Sequence, residues 1–302
     1  MIPLKTCAAR RRREDTIFRI VGVCCTLFGL LTLAALLGDL CLDGLKRIDW
    51  QFLTSFPSRF ASKAGILSSW VGTLVVMFVT ALAAIPLGVA AGVYLEEYAR
   101  KNWLTEAIEL NIANLAGVPS IVYGLMALGL FVYQFQFGQS ILSAGLTLSF
   151  LILPIVIVAT REALRSIPAH IREAAYSMGA TKWQAVKHHL LPYSSGGIAT
   201  GVIIALSRAI GETAPLITIG ALTFIAFLPP SPVTSDFPFL SFEWLKSPFT
   251  VLPIQMFNWT SRPTADFHQN AAAAGLVLII LTMSLNAIAI VIRYRMRKRI
   301  KW

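Results

Sequence analysis

Six long apolar runs, parted by polar connectors, decide what this chain can fold into. They lie at about Ile17–Leu37, Ser69–Leu95, Ile112–Phe135, Ile141–Ala159, Gly197–Phe227 and Ala271–Ile292. A helix rises about 1.5 Å per residue, so each run is long enough to cross a hydrocarbon core about 30 Å thick. Lipid offers the backbone no hydrogen bonds, so such a chain satisfies its N–H and C=O groups within helices. Only 14% of the 302 residues are charged, against about a quarter in a soluble domain. The expected fold class is all-α: a polytopic membrane protein with six transmembrane helices. One domain is expected over 1–302, with its core over 69–292.

Charge orients the spans. The formal net charge of +11 is concentrated at the two ends, in Arg10 to Arg13 and in Arg293, Arg295, Arg297, Lys298, Arg299 and Lys301. Both blocks abut apolar runs. They therefore read as cytoplasmic anchors under the positive-inside bias, not as a nucleic-acid surface. Six spans put both termini on one side, so parity and charge agree. Tails 1–16 and 293–302 and connectors 96–110 and 160–195 are expected in the cytoplasm, with 38–68 and 229–270 facing outward. The first run is too long for a signal-peptide core and lacks a clean cleavage site, so it reads as an uncleaved anchor. Cys7, Cys24, Cys25 and Cys41 follow no metal or disulfide spacing. The adjacent His188 and His189 point to different faces of a helix, which disfavours a metal pair.

The fifth run holds the chemistry. Read as one helix, it places Arg208 and Glu212 near mid-membrane. A lone charged side chain costs roughly 2.5–3.5 kcal/mol at that depth. Such residues persist where they face a polar path, a partner or each other. Four residues apart, they share a helix face. Pro215 lacks an N–H and clashes with the Gly211 carbonyl, so a kink is expected beside the charges. Thr213 and Thr218 stand ready to satisfy freed backbone groups. An Arg–Glu pair that only joins helices is the plainer reading. The Arg-then-Glu order is the weaker one within a helix, which favours a partner elsewhere or a substrate.

The connector 160–195 reads as helix, turn, helix. Pro168 suits a first turn, Gly179 the left-handed residue that ends a helix, and Thr181 with Gln184 a capping box. Pro192 is expected to stop the second helix before the fifth span. A polar helical hairpin between two spans suits docking to a soluble partner, whereas a solvated connector needs no such capping.

The spacing of Glu173-Ala174-Ala175, Gly179 and Leu191-Pro192 resembles the coupling-loop signature of ABC importer permeases, with His189 where that family carries an aliphatic residue. Three stretches narrow the likeness: Asn114 to Gly124, Ser207 to Pro215 and Phe249 to Trp259. Together they resemble the phosphate-specific permeases, the PstA type more than the sister PstC type. The likeness runs from about the second span to the C-terminus. It implies a type I, MetI-like permease fold in the bacterial inner membrane. It implies Glu173, Ala174, Ala175 and Gly179 as ATPase-docking positions, and Arg208, Glu212 and Thr213 along the anion's path. It also implies a PstC-like sister permease, PstB-like ATPase subunits and a PstS-like extracytoplasmic phosphate-binding protein. No cofactor and no metal are expected.

Arg suits such a path because it stays charged and offers a planar fork to an oxyanion. Glu212 would hold it and moderate its grip, since a transit site must also release its ion. Nothing in the spacing distinguishes phosphate from sulfate or molybdate. The chain lacks a Gly-x-x-x-x-Gly-Lys-Ser/Thr loop and the common hydrolase motifs, so ATP hydrolysis belongs to another chain. A stand-alone channel or carrier is the competing class, and it has no use for a docking hairpin. The segment 229–270, rich in proline and aromatics, is expected to cover the outer mouth or to lie on lipid.

Overall fold

The computed structural model describes residues 4–232 and 241–299, with side chains over 14–232 and 241–295. The side chains of Cys7, Arg10 to Arg13 and the basic residues after Arg295 lie outside this description. Among the described residues the chain is helical, with five helices long and apolar enough to cross a membrane, or six if one bent pair is counted as a span.

The first helix, α1, runs over Leu4–Gly44, so it extends past the expected first span into the segment read as a polar connector. A short α2 (Trp50–Thr54) and α3 (Leu67–Val93) follow, and α3 continues into a π turn at Tyr94–Tyr98. The third span departs most from expectation. Instead of one helix there are α4 (Trp103–Leu115) and α5 (Ser120–Ala127), which runs on in π geometry through Gln134, and the pair bends by 105°. The cause is local. Pro119 disfavours helix at the residue before it and supplies no N–H, and Gly117 gives no propensity to carry the helix through.

A turn with left-handed residues Gln136 and Gly138 leads to α6 (Ile141–Arg165). Then come α7 (Ala169–Ser177), α8 (Lys182–Ala185), α9 (Leu191–Ile210) and α10 (Ala214–Ile219). Two expectations fail here. Pro192 does not stop a helix, because α8 joins α9 through a π turn at Val186–Leu190 in which the Leu191 N–H donates to the Val186 carbonyl. The widened turn makes room for the proline ring where a regular helix would clash. The fifth span is not one kinked helix over Gly197–Phe227 either, since α9 ends at Ile210 and the chain after α10 is neither helix nor strand as far as residue 232. Finally α11 (Leu252–Thr260) and α12 (Ala265–Arg299) close the fold.

α6 is the axis of the bundle, with 67% of its most apolar window buried against 0% for α1. Its Ile141, Leu148, Ile152 and Val156 meet Val76, Val79 and Ala84 of α3 and Ala205 and Ala209 of α9. Lipid tails are as apolar as leucine, so hydrophobicity alone does not join these helices; close packing does. Gly197 and Gly201 of α9 face Ala163 and Ala159 of α6, and a Cβ at Gly201 would overlap that of Ala159. This four-residue pairing of small side chains brings the two backbones together. By contrast, the described side chains of α1 are exposed up to Asp39, and the helix packs on the bundle near its end, where Gly44 meets Leu276 and Ala272 of α12.

Outside the bundle, Arg47 fastens the 38–68 segment. It donates to Asn270 Oδ1 at 3.0 Å and to the carbonyls of Ser62 (2.8 Å) and Ala64 (3.1 Å), and it pairs with Asp49 at 3.2 Å. The 229–270 segment is no mere cap. Phe249, Val251, Leu252, Ile254 and Trp259 are buried, so its second half is core. Its stretch 233–240 lies outside the described residues.

Candidate functional site

Arg208 sits in the last turn of α9, whose C-cap is Gly211. Glu212 lies just beyond, in the break before α10, so the two do not share a continuous helix. They still pair, with Nε to Oε1 at 3.4 Å, and their side chains are 40% and 18% exposed. This long contact engages one edge of the guanidinium, and the group as a whole is exposed. Thr213 is the N-cap residue of α10 without a side-chain cap bond, and its carbonyl accepts from the N–H groups of Leu216 and Ile217. Thr218 donates to the Pro215 carbonyl at 2.8 Å, as expected of a hydroxyl beside a proline break.

Sequence reasoning did not foresee that this break faces another. The bend between α4 and α5 is strapped by Tyr123, whose hydroxyl donates to the Leu115 carbonyl at 2.8 Å. One residue on, Gly124 packs directly on α10, where a Cβ would lie 2.7 Å from the Pro215 Cα. Only a residue without a side chain allows this crossing. The third quoted stretch closes the arrangement. With its amide oriented to suit both neighbours, Gln255 donates to the Thr223 carbonyl at 2.9 Å and accepts from Trp259 Nε1 at 2.9 Å. The Leu222 N–H donates to the Phe249 carbonyl at 3.0 Å. The chain leaving α10 is thus held by α11. Tyr123, Gly124 and Gln255 all occur in the stretches that carry the resemblance, but their roles are non-local and leave no mark in the spacing.

The hairpin follows its sequence signals closely. Gly179 has φ +81°, and the Ala180 and Gly179 N–H groups donate to the carbonyls of Ala175 and Tyr176, the bond pair of a Schellman ending. Thr181 and Gln184 bond reciprocally as a capping box. Pro168 is the N-cap of α7. Glu173, Ala174 and Gly179 are exposed, while Ala175 is buried within the hairpin. Three apolar side chains stand out beside them: Met178 at 88% exposure, Trp183 at 58% and Tyr176 at 40%. Large apolar side chains this exposed on a polar hairpin are a surface feature that burial within the chain does not explain.

Ion pairs tie this hairpin to the bundle. Arg172 of α7 pairs with Glu97 at 2.8 Å and donates to the carbonyls of Leu164 (2.9 Å) and Ile167 (3.0 Å). Arg161 and Arg165 of α6 bridge Glu96 and Glu109, which stand on the π turn after α3 and on α4. Sequence reasoning read these residues as plain connector charge. Among the described residues no group of three or more His, Cys, Asp or Glu is arranged to hold a metal.

A bundle of apolar spans, two facing helix breaks and a capped hairpin between spans define a multi-pass membrane permease. The chain belongs to the family described as binding-protein-dependent transport system inner membrane component, which matches it over residues 84–302. It is 31% identical over 262 residues to the probable ABC transporter permease protein YqgI of Bacillus subtilis, covering 85% of this chain and 87% of that one. It is also 31% identical over 277 residues to the phosphate transport system permease protein PstA of Yersinia pestis, covering 90% and 86%. Among solved structures, a bacterial alginate ABC transporter matches with TM-score 0.67 at 14% identity, over 96% of this chain and 98% of that one. The MetNI methionine ABC transporter in an inward-facing form matches with TM-score 0.56 at 17% identity, over 74% and 93%. At such identities the likeness is one of fold, and it bears out the expected type I permease architecture. The relatives are transport subunits rather than enzymes.

Proposed function

We propose that this chain is the PstA-type permease subunit of an ATP-driven importer of inorganic phosphate. The observation that carries the reading is the Arg208–Glu212 pair at the α9–α10 break, set against the α4–α5 break through Gly124 and Pro215. Broken helices in a membrane expose backbone and charge where an ion must be handled. Arg208 keeps most of its guanidinium free to meet an oxyanion, while Glu212 positions it and limits its grip. Thr213, with no side-chain cap bond at the break, adds a hydroxyl donor to the path.

The single permease domain spans 1–302 around a core at 69–292, with both tails cytoplasmic in the bacterial inner membrane. Its hairpin seats on a PstB-like ATPase through Glu173, Ala174 and Gly179, with Met178 and Trp183 filling the partner's groove. Ala175 supports that surface from inside. A PstC-like sister permease lines the other side of the path, and a PstS-like binding protein delivers phosphate from outside. ATP-driven alternating access then exposes the Arg208 region to each side in turn.

Labelled phosphate uptake in a strain lacking other phosphate importers tests this, normalised to membrane level. Arg208→Gln should abolish uptake, and the neutral double change with Glu212→Gln should insert normally yet remain inactive. Wild-type-like uptake by the double variant would reduce the pair to a folding role. Uptake of sulfate or molybdate in place of phosphate would reassign the substrate.

A further inference from the structure

We propose that the groove between α3, α9 and α12 is a binding site for an anionic glycerophospholipid, with one acyl chain in the groove and the phosphodiester on Arg293. The groove encloses about 320 Å³ and is walled by Leu74, Phe78, Ile203, Ile210, Leu285 and Ala289. Phe78 on its wall is exposed, at 59%. Its polar lining is Ser207, Thr282 and Asn286, and both hydroxyls bond within the protein: Ser207 donates to Asn286 Oδ1 at 2.8 Å, and Thr282 to the Leu278 carbonyl at 2.7 Å. The walls carry no charged side chain and are mostly aliphatic or aromatic, so an apolar chain is the fitting occupant.

Charge at one end of the groove says which apolar chain. The three helices run so that Ala81, Ile203 and Ala289 mark the same end. One turn past Ala289, on the same face of α12, stands Arg293. Its Nη1 donates to Thr200 Oγ1 of α9 at 2.7 Å, in a half-buried contact. This repeats the α9–α12 step made by Ser207 and Asn286, seven residues further along α12 and seven residues earlier in the antiparallel α9. Among the described residues no Asp or Glu pairs with Arg293, unlike Arg161, Arg165, Arg172 and Arg208. Arginine does not neutralise itself, and a hydroxyl leaves most of its donors open. A half-buried guanidinium without a counter-charge calls for an anion, and a phosphodiester matches its fork. Only a lipid supplies that anion together with a chain for the groove. Arg293 also heads the basic tail, the place where anionic headgroups collect at a cytoplasmic leaflet.

The test uses the transporter purified whole from membranes. Native mass spectrometry counts retained lipid, and nanodisc titrations compare phosphatidylglycerol with phosphatidylethanolamine, with and without inorganic phosphate. The expected result is one tightly held anionic lipid per chain that inorganic phosphate does not displace. Arg293→Gln should weaken phosphatidylglycerol binding about fivefold, the loss expected for one basic residue at an anionic surface. Ala289→Phe, which fills the groove, should remove the lipid while leaving Arg293 in place. Thr200→Val removes only the neutral partner and should retain it. Unchanged retention in both Arg293→Gln and Ala289→Phe would overturn the proposal. Displacement by inorganic phosphate would also overturn it and make Arg293 a station for the transported ion. A groove closed to added lipid in the whole complex would overturn it in favour of a protein partner.

Discussion

The pair Arg172–Glu97 should respond asymmetrically to neutralisation. Glu97 is only 7% exposed at its side chain and Arg172 is 22% exposed, so both charges sit away from bulk water. Changing Arg172 to Gln strands a buried carboxylate, and removing one partner of such a pair costs about 3–5 kcal/mol. Lys182, whose Nζ already reaches the Glu97 carbonyl at 3.4 Å, can swing toward the orphan and pulls the expectation to the low end, about 3 kcal/mol. Changing Glu97 to Gln instead leaves Arg172 bonded to the Leu164 and Ile167 carbonyls, and an amide oxygen can still accept the two bonds that Arg172 gives to Glu97 Oε1, so only their charge assistance is lost, about 1.5 kcal/mol. The double neutral variant should recover much of what Arg172→Gln loses, because no charge remains stranded. Unfolding of the full chain in mixed micelles, titrated with SDS and followed by tryptophan fluorescence, reads all three. Equal losses in the two single variants, or a double variant no better than Arg172→Gln, would refute the argument that a desolvated Glu97 anchors the hairpin.

Gly179→Val should strain the left-handed turn, so the ATPase should be recruited poorly and hydrolysis uncoupled from uptake while the chain still inserts; normal uptake with normal ATPase co-purification would contradict this. Gly201→Leu should force α6 and α9 apart, costing about 1–3 kcal/mol by overpacking and lowering the yield of folded protein, whereas an exposed substitution such as Ile204→Leu should leave the yield unchanged. Accessibility tags at residues 5 and 300 should both report cytoplasm and a tag near Ser235 the outside; an externally cleaved C-terminus in intact cells would remove the sixth crossing. Residues 300 and 235 lie outside the described part of the chain.

What the amino-acid sequence determined by itself was whatever depends on near neighbours. The apolar runs announce spans because each backbone bond in a membrane helix closes within four residues. The hairpin was legible for the same reason: a glycine at the left-handed ending and a Thr-x-x-Gln box act within a single turn, and both took the form their spacing implied. Arg208 and Glu212 stood out as charges in an apolar run, and their contact was within reach of local argument. Tertiary structure decided how the runs divide. Gly117 and Pro119 permit a break, but the strap from Tyr123 to Leu115 and the seat of Gly124 on Pro215 accompany a bend of 105° rather than a kinked span. Pro192 was read as a stop because a proline's local effect is to end a helix, whereas the π turn before it lets α8 continue into α9. Arg293 looked like one more basic anchor until α9 placed Thr200 beside it. Local propensity acts over three or four residues, but a crossing, a groove or a buried ion pair depends on which distant helix lies opposite, and that is settled only when the whole bundle packs.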